Sequence, residues 1–497
     1  MLYTILDCYT DEPSGLGVPP YLGTYPRYLA GAVSSEKGDY CYLTVDDLRL
    51  WKKYGSVQKK TKESEKTNIR VHNLTKNYPD VSRILKKTDV LIVVIGVQTP
   101  GKYLSAVPGT LSEVVPMIKE LPCRKVLTGP AAMGGTQLYG GKHFEQVSEQ
   151  VFDEIDFNYK GINEFPKIKR LAVAGASILN HIPYEIIAEI ETMKGCIRGK
   201  GCSFCTEPLK NRFSSREQGD IIDEMKALYS SGVRHFRLGK QTCFYTYKNY
   251  NPAEVKKLLA AIRKSLPQIK TLHIDNVNPA YVVGKHGREI TKLIVEHCTP
   301  GNVAAFGAET FDEEVVKKNN LNTTPEQTFD AVRIINEIGG MRGSNGMPCF
   351  LPGINLIFGL NGESKETFSK NYYWLKKILD SNLLLRRINI RQLAVFPGTE
   401  IAASVGNKFV KKNRKHYWGW RKKIREEIDL PMLKKLVPSG TVLKEVRAEI
   451  YDGKTTFARQ FGTYPLIVGI TGRVPLEKYF SVKVTGHLLR SITGVVS

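Results

Sequence analysis

Strand-like and helix-like segments alternate from about residue 171 to Thr399, and this alternation restricts the fold more than any other feature of the sequence. The predicted strands are LAVAGAS, VRHFRLG, TLHIDN, NVAAFGAE, INLIFGL and RRINIRQLAVFPGT, and amphipathic helices such as DIIDEMKALYSSG and PAEVKKLLAAIRKSL separate them. Repeated β–α units of this kind predict a complete or partial parallel barrel, whose functional residues lie at the C-terminal ends of the strands.

The regions on either side have different patterns. DVLIVVIG and CRKVLTG are apolar runs typical of buried parallel strands, and TLSEVVPMIKEL between them predicts a crossover helix. The last sixty residues are rich in strands and turns. The sequence therefore predicts an α/β protein in four parts: a doubly wound α/β domain at 1–165, a partial (β/α) barrel at 166–405, a basic linker at 406–436, and a small β-barrel at 437–497.

The charge balance favours a polyanionic partner. The chain carries 72 Lys and Arg against 49 Asp and Glu, a net charge of +23. Such an excess is typical of proteins that bind nucleic acid, although a solvated basic surface is the alternative. No apolar run approaches the ~20 residues that span a bilayer. The start, MLYTILDCYTDEPSG, lacks the basic region of a signal peptide. We therefore expect a cytoplasmic protein without a membrane partner.

Three of the nine cysteines cluster in the segment GCIRGKGCSFCTEP, at Cys196, Cys202 and Cys205. A structural zinc site usually has a fourth Cys or His at a similar spacing, and this segment has none. Three thiolates with no fourth ligand fit a [4Fe–4S] cluster that keeps one iron open. The other six cysteines stand alone along the chain and are predicted to be small buried apolar residues, at positions Cys8, Cys41, Cys123, Cys243, Cys298 and Cys349.

This cysteine segment resembles the cluster loop of the radical S-adenosylmethionine (SAM) superfamily. The spacing here is five residues and then two, where the superfamily usually has three and then two, and Phe204 matches its aromatic residue before the last cysteine. The resemblance covers roughly residues 166 to 400. It implies a radical SAM barrel, with a [4Fe–4S] cluster and SAM as cofactors and an external electron donor.

Other strand ends resemble the superfamily's cofactor-binding motifs. RLGKQT takes the place of the SAM-amine motif, which implies cofactor contacts at Gly239, Lys240 and Gln241. Glu309 is a candidate for binding the SAM ribose or the substrate, or else pairs with a nearby lysine. Gly359 and Gly362 allow close approach of SAM or simply form a turn. Asn276 and Asn278 read a base edge or cap a turn. No residue is assigned to catalysis beyond cofactor binding.

The segment KKNRKHYWGWRKKIR combines cations with rings that can stack on bases, a composition typical of RNA contact. The alternative is an amphipathic linker helix anchored by its aromatic residues. The tail YPLIVGITGRVPLEKYFSVKVTGHLLRSITGVV resembles the small RNA-binding β-barrel called TRAM. The predicted RNA-binding residues of the basic segment are Lys411, Lys412, Arg414, Lys415, Trp418 and Trp420.

This domain order resembles that of the tRNA methylthiotransferases, which hold a second cluster on three N-terminal cysteines. Cys8 and Cys41 match the first two of these, but IGVQTPGKY contains no third cysteine and Cys123 comes too late. The N-terminal domain also resembles cobalamin-binding domains, without their Asp-x-His-x-x-Gly motif.

The same order, with the elongated cysteine loop, resembles the radical SAM family that forms archaeosine. This resemblance implies cleavage of the lysine C–N bond in a lysine-7-deazaguanine adduct at position 15 of tRNA. The implied partners are tRNA and the lysine-transferring archaeosine synthase subunit. A tRNA methylthiotransferase or another radical SAM RNA-modifying enzyme is one alternative, and a non-catalytic metal-containing RNA-binding protein is the other.

Overall fold

The computed structural model describes residues 1–9, 20–54, 64–65, 68–69, 72–96, 108–136, 145–147 and 150–497. The chain divides into two compact units, of which the first comprises Met1–Ile190 and Arg216–Arg234 and the second comprises Glu191–Ser215 and His235–Ser497. These boundaries differ from those of the four predicted domains, and the four-part division stays a prediction.

The structure contains the following strands, numbered along the chain: β1 (Leu2–Asp7), β2 (Tyr21–Leu22), β3 (Asp39–Thr44), β4 (Ser64–Glu65), β5 (Asn68–Ile69), β6 (Val90–Val94), β7 (Arg124–Thr128), β8 (Glu154–Ile155), β9 (Ile187–Glu191), β10 (Met193–Lys194), β11 (Ser214–Ser215), β12 (His235–Gly239), β13 (Thr271–Ile274), β14 (Asn276–Val277), β15 (Asn302–Glu309), β16 (Phe350–Phe358), β17 (Arg387–Gln392), β18 (Val442–Asp452), β19 (Thr455–Gln460), β20 (Ile467–Thr471), β21 (Tyr479–His487) and β22 (Ser491–Val496).

The α-helices, numbered in the same way, are α1 (Thr24–Ser35), α2 (Val45–Tyr54), α3 (Val81–Lys87), α4 (Leu111–Ile118), α5 (Ala131–Gly134), α6 (Phe165–Ala174), α7 (Glu207–Lys210), α8 (Gln218–Ser230), α9 (Pro252–Ser265), α10 (Pro279–Val283), α11 (Gly287–His297), α12 (Glu313–Lys318), α13 (Pro325–Gly339), α14 (Lys365–Asp380), α15 (Glu400–Ser404), α16 (Lys408–Ile424) and α17 (Leu430–Leu436). A π-helical turn at Arg425–Asp429 joins the last two.

A parallel sheet in the order β3-β1-β6-β7-β8 forms the centre of the first unit. All five residues of β6 are buried, as its continuous apolar sequence predicts for a strand covered on both faces. The predicted crossover helix between β6 and β7 is present as α4, whose first turn is capped by the Thr110 side chain. The α/β prediction for this region is confirmed as a unit built on a parallel sheet.

The prediction of a strand at LAVAGAS is wrong, because these residues form the end of α6 and the 3-10 turn that follows it. Pro166 lies at the start of α6, where its missing N–H costs nothing. Ile168, Leu171 and Ala172 are buried and recur at the spacing of one helix face. The strand expected here is β9, sixteen residues later along the chain.

The parallel strands of the second unit follow the predicted alternation closely. β12 pairs with β13, and β14, β15, β16 and β17 pair in that order, all in parallel. The intervening helices α9, α11, α13 and α14 lie where the apolar periodicity predicted them. Both units are therefore mixed α/β structures with parallel sheets.

The segment at 406–436 is helical, whereas the sequence predicted a linker. In α16 the buried residues Val410, Asn413, Tyr417 and Ile424 recur at helical spacing, so this helix packs one face against the unit. Asn413 donates to the backbone of Glu363, and Tyr417 donates to the carbonyl of Ile390. The amphipathic-helix alternative therefore describes the local structure of this segment.

The last five strands pair in a closed ring, in the order β18-β19-β20-β22-β21. The connection from β19 to β20 reaches the parallel strands at their N-terminal ends. There the Phe461 carbonyl accepts from Thr271, at the start of β13. The Tyr464 hydroxyl extends farther along the strands and donates to Asp275, just after β13, over 3.0 Å. The Tyr464 ring also packs on Val303 and beneath the Arg387 guanidinium. The closed sheet is thereby fixed to that end of the strands.

Among the described residues, no helix is both long and apolar enough to cross a membrane.

Candidate functional site

The cysteine loop leaves β10 through Gly195 and ends at the short helix α7. Gly195 has φ of 70°, and a Cβ atom there would lie 2.5 Å from the backbone of Arg212, so only glycine fits. The Gly195 N–H donates to Glu207 Oε1 over 3.1 Å, which joins the start of the loop to its end. Thr242 donates to the Gly195 carbonyl and holds the loop beside the end of β12.

The three thiols of this loop lie close enough together to interact electrostatically. Cys205 donates its N–H to the carbonyl of Cys202 over 3.0 Å, which forms a turn. Burial raises the pKa of Cys202 to about 12 and that of Cys205 to about 11, and the Cys196 thiol contributes to both increases. Without a metal the Cys202 and Cys205 thiols stay protonated, and bound iron would convert them to thiolates.

A four-iron cluster fits this donor set better than a single ion does. Within the described ranges, no group of three or more Cys, His, Asp or Glu side chains is arranged to hold a single metal ion. A [4Fe–4S] cluster binds each thiolate through a separate iron, so its ligands need not converge on one point. Cys196, Cys202 and Cys205 are the residues that would hold it.

Two asparagines that the sequence analysis missed anchor the loop. Asn319 accepts from the Ser203 hydroxyl over 2.9 Å, and its backbone carbonyl accepts from the Ser203 N–H. Asn320 donates to the Gly201 carbonyl and accepts from the Arg198 guanidinium, which also lies 3.5 Å from the Cys202 sulfur. Both residues follow α12, and no local motif distinguishes them from ordinary residues at the end of a helix.

Glu309, at the C-terminal end of β15, has the features of a ligand-binding group. Its φ is 61°, a conformation that is uncommon for residues other than glycine and costs energy. Its Oε2 atom is buried and has no hydrogen-bond partner among the described residues. Burial raises the pKa of its carboxyl to about 8, and the Arg391 charge counteracts this increase. An orphaned carboxylate oxygen near Cys202 suits a hydroxyl or ammonium group of bound SAM.

The residues of the RLGKQT motif shape the end of β12. Gln241 is buried, accepts from Thr192 and donates to the carbonyl of Leu238. Lys240 has φ of 54°, so the chain turns sharply after Gly239. The Gln241 side chain therefore holds the turn in place, while contact of Gly239, Lys240 and Gln241 with SAM stays a prediction.

The neighbouring asparagines also make local contacts. Asn276 donates to the Gln241 carbonyl, and the Asn278 side chain caps α10 by accepting from Ala280. The turn-capping alternative describes Asn278. Cys243 is buried, as predicted, and its sulfur accepts from the Asn278 N–H.

Protein packing accounts for the two glycines that follow β16. A Cβ atom on Gly359 would lie 2.2 Å from a Val410 methyl group, and one on Gly362 would lie 2.7 Å from the Lys318 side chain. Both have positive φ. Close packing on Val410 therefore requires glycine at 359, the positive φ favours glycine at 362, and contact of either residue with SAM stays a prediction.

Apolar side chains surround the cysteine loop. Cys202 and Phe204 pack against a buried group formed by Leu360, Leu393 and Ile401 with their neighbours. Low local polarity of this kind excludes water and strengthens electrostatic contacts. When bound, the cluster and SAM would supply a 5′-deoxyadenosyl radical, and this chain's residues would hold them, exclude water and orient the reacting groups.

The predicted RNA-binding residues all lie on α16 but in two environments. Lys411, Lys412, Arg414 and Lys415 are exposed, and Trp418 is 54% exposed. Trp420 instead packs against the rings of Phe368 and Tyr372, with centroids 6.3 and 5.8 Å away. The Trp418 ring is thus exposed enough to stack on a base, whereas the Trp420 ring packs α16 against α14.

Comparison with known proteins agrees with this geometry. Residues 190–372 match the radical SAM superfamily model. An uncharacterized protein of Methanocaldococcus jannaschii is 42% identical over 99% of this chain and 92% of its own length. The ribosomal protein uS12 methylthiotransferase RimO of Phocaeicola vulgatus is 22% identical over 38% of this chain and 41% of its own length.

Among solved structures, the radical SAM methyltransferase TsrM from Kitasatospora setae, with cobalamin and a [4Fe–4S] cluster bound, matches with a TM-score of 0.49 at 13% identity, over 83% of this chain and 75% of that one. A likeness at this level supports no functional statement. The superfamily match and the cysteine loop assign a [4Fe–4S] cluster and SAM as the cofactors. The chain is a radical SAM enzyme of the radical SAM superfamily, and it belongs to the same family as the Methanocaldococcus jannaschii protein.

Proposed function

We propose that this radical SAM enzyme modifies tRNA, and that its reaction is the lysine C–N cleavage that completes archaeosine. The observation that carries the general proposal is the position of α16. Its first turn packs against Gly359, at the C-terminal ends of the strands where the cysteine loop and Glu309 lie. The exposed basic face of this helix therefore begins beside the site of radical chemistry, where an RNA substrate would enter.

The specific reaction is supported by the likeness of the domain order and the elongated cysteine loop to the archaeosine-forming family. Hydrogen is removed from the lysine carbon that is bonded to the bridging nitrogen. The carbon radical that remains would give one electron to the oxidised [4Fe–4S] cluster, and water would add to the resulting iminium carbon. The C–N bond then breaks, so that the lysine side chain leaves as an aldehyde and the amidine stays on the base at position 15. The proposed partners are tRNA, the lysine-transferring archaeosine synthase subunit and an external electron donor, all in the cytoplasm.

Anaerobic turnover tests this proposal. Reconstituted enzyme is incubated with SAM, a reductant and tRNA that carries the lysine-7-deazaguanine adduct, and the nucleosides are identified by mass spectrometry. We expect archaeosine and 5′-deoxyadenosine, whereas tRNA without the adduct should give no archaeosine. Cleavage of SAM with no change in the adduct would refute the lysine reaction. A reduced, reconstituted enzyme that never cleaves SAM would instead indicate the non-catalytic RNA-binding alternative.

A methylthiotransferase is the second candidate, because the similarity to RimO favours it. Such an enzyme needs a second cluster, and the N-terminal cysteines are far apart. Thr4 of β1 pairs with Cys41 of β3, so Cys8 lies four residues farther along the sheet, about 13 Å at roughly 3.3 Å per residue. Cys123 precedes β7, whereas Cys8 follows β1. The two cysteines therefore lie at opposite ends of the parallel strands.

The loop after β6, where the third cysteine of that site would stand, lies outside the described residues at 97–107, and its sequence contains no cysteine. Iron analysis separates the two candidates. About four irons and four sulfides per chain fit the C–N lyase, and about eight of each fit the methylthiotransferase.

The RNA part of the proposal has its own test. Replacing Lys411, Lys412, Arg414 and Lys415 together with alanine should weaken tRNA binding and flatten its dependence on salt. For double-stranded regions, log affinity falls by about 0.9 per neutralised phosphate for each unit of log salt. The matched control replaces four exposed basic residues of α9 with alanine: Lys256, Lys257, Arg263 and Lys264. Equal losses in both variants would refute a role for α16.

A further inference from the structure

A cavity of about 210 Å³ lies within the second unit, between the N-terminal ends of the parallel strands and the closed sheet. A single water needs only ~10–15 Å³ of such space, so the cavity has room for a larger ligand. The residues that bear on its chemistry are His235, Lys270, Lys444, Glu445, Phe461 and Tyr479. It is separate from the cysteine loop, which lies at the other ends of the strands.

His235 gives this cavity a buried hydrogen-bond acceptor. The residue is 3% exposed, and burial, with the Lys270 charge nearby, lowers its pKa to about 3, so the ring is neutral. The Thr271 hydroxyl donates its one hydrogen to the Phe461 carbonyl and must therefore accept from His235 Nδ1. The lone pair consequently lies on Nε2, which has no partner among the described residues.

Two lysines give the cavity a positive charge. Lys270 lies 5.0 Å above the Tyr479 ring, and the side chain of Lys444 is exposed at the rim. The amide hydrogens of Asn345 and Gln460 donate to backbone carbonyls, and the positive charge of the cavity lining comes from the two lysines. Glu445, also at the rim, is the one acid among the lining residues.

We propose that this cavity binds one ribonucleotide of an RNA strand, with its phosphate at Lys270 and Lys444 and its 2′-hydroxyl donating to His235 Nε2. A phosphate needs cations, a ribose hydroxyl supplies the donor that Nε2 lacks, and aromatic rings beside cations are typical of sites for unpaired nucleotides. The 2′-hydroxyl also distinguishes RNA from DNA. This inference rests on the proposed function, because it assumes that RNA is the substrate.

The position of α16 links this cavity to the cluster site. The helix starts beside Gly359, at the C-terminal end of β16, and the chain continues to Arg425, which donates to the carbonyl of Ile388 near the start of β17. At ~1.5 Å per residue, its 17 residues extend about 25 Å. Its exposed basic face therefore follows the strands from one end to the other. An RNA strand lying along it would be held at both ends.

Binding of the full chain to fluorescein-labelled single-stranded RNA, and to DNA of the same sequence, tests the proposal. Fluorescence anisotropy is measured at several salt concentrations. Lys444→Glu should weaken RNA binding roughly tenfold and reduce the salt slope, since log affinity for single strands falls by about 0.7 per phosphate contact. Glu445→Gln should strengthen binding. The control is Lys454→Glu, the same charge change at an exposed residue outside the cavity, and it should change binding less than twofold.

His235→Leu should remove the preference for RNA over DNA while leaving the salt slope unchanged, because it deletes an acceptor and no charge. Equal effects of Lys444→Glu and Lys454→Glu would overturn the cavity proposal even if His235→Leu unfolds the protein. A preference for RNA that survives in folded His235→Leu would overturn it too. If the unaltered chain binds no RNA, the proposed function fails as well, so the two failures are distinguishable.

Discussion

The two ends of the parallel strands in the second unit differ in their backbone conformation and in what packs against them. At the C-terminal ends, Lys240 and Glu309 have positive φ, and one Glu309 oxygen is buried without a partner. The N-terminal ends are covered by the connection between β19 and β20, whose Phe461 carbonyl accepts from Thr271 at the start of β13. Tyr464 of this connection stacks beneath Arg387, at the start of β17, and its hydroxyl extends to Asp275, just after β13.

The C-terminal ends thus have the strained backbone typical of a ligand site, whereas the N-terminal ends are covered by another part of the same unit. Strained backbone and unpaired buried groups persist where a ligand compensates for them, and they cost stability elsewhere. In parallel barrels the C-terminal ends of the strands carry the chemistry, and the opposite ends contribute stability. The closed sheet uses that end as its attachment, and two buried atoms there, His235 Nε2 and Asn302 Nδ2, have no partner among the described residues.

The largest expected effect comes from removing a cluster ligand. Cys196→Ala, Cys202→Ala or Cys205→Ala should abolish cleavage of SAM, because each variant removes one of three thiolates and no other residue of the loop can replace it. The fold should stay largely intact, since the hydrogen bonds of Asn319 and Asn320 hold the loop without the thiols. Iron content, the absorbance of the cluster and 5′-deoxyadenosine formation measure the loss.

Cys8→Ala and Cys41→Ala are the matched controls for this prediction. They should barely alter the iron content, because the sheet register separates these cysteines. A normal [4Fe–4S] spectrum in any of the three loop variants would contradict the ligand assignment. Loss of about four irons in either control would return the methylthiotransferase to consideration.

Glu309→Gln should have the second largest effect, on SAM and not on iron. Hydrogen bonds to charged groups contribute about 1.5–3 kcal/mol, so removing the charge should weaken SAM binding roughly 10- to 150-fold. Equilibrium binding of SAM to the reconstituted enzyme measures this change. Glu314→Gln, on the exposed surface of α12, is the control and should bind SAM normally. Unchanged SAM affinity in Glu309→Gln would mean that the orphaned oxygen serves another ligand.

Much of the second unit could be predicted from the sequence, because its signals are local. The strands β12, β13, β15, β16 and β17 alternate with amphipathic helices and lie where the pattern indicated, whereas the two-residue β14 was not predicted. The cysteine loop was recognisable from its three clustered cysteines, from Phe204 before the last of them, and from the strand-end motifs that follow. The error at LAVAGAS has the same origin, since a short apolar run fits a strand and a buried helix equally well.

The remaining features depend on contacts between residues far apart in the chain. Ser203 meets Asn319 across 116 positions, and Tyr464 meets Asp275 across 189. The hydrophobic periodicity of the sequence does not predict contacts between residues so far apart. The same holds for Trp418 and Trp420, which are equivalent in the sequence and differ only because Phe368 and Tyr372 cover one of them.

Substitution of these two tryptophans should therefore separate recognition from packing on a single helix. Trp418→Ala should weaken RNA binding by about 1–3 kcal/mol if the ring stacks on a base, with little change in thermal stability. Trp420→Ala should lower the melting temperature, because it removes ring contacts within the unit. Anisotropy with labelled RNA and thermal unfolding measure the two effects. If Trp418→Ala binds RNA as the unaltered chain does, α16 contacts RNA through its charges alone.

The smallest expected effect concerns Tyr464, in the connection that covers the N-terminal ends of the strands. Tyr464→Phe removes one hydroxyl, keeps the ring beneath Arg387, and leaves Asp275 without its 3.0 Å donor. A buried acceptor that loses its partner costs about 1–3 kcal/mol, and the lower part of this range applies because Asp275 also lies near Arg237. Thermal unfolding of the reconstituted enzyme should therefore shift down by a few degrees. The rate of SAM cleavage at 25 °C should not change, because this residue touches nothing at the cysteine loop.

Tyr373→Phe, at an exposed tyrosine on α14, is the control and should leave the melting temperature unchanged. A slower SAM cleavage in Tyr464→Phe with an unchanged melting temperature would show that the two ends are functionally coupled, which the contrast between them does not predict.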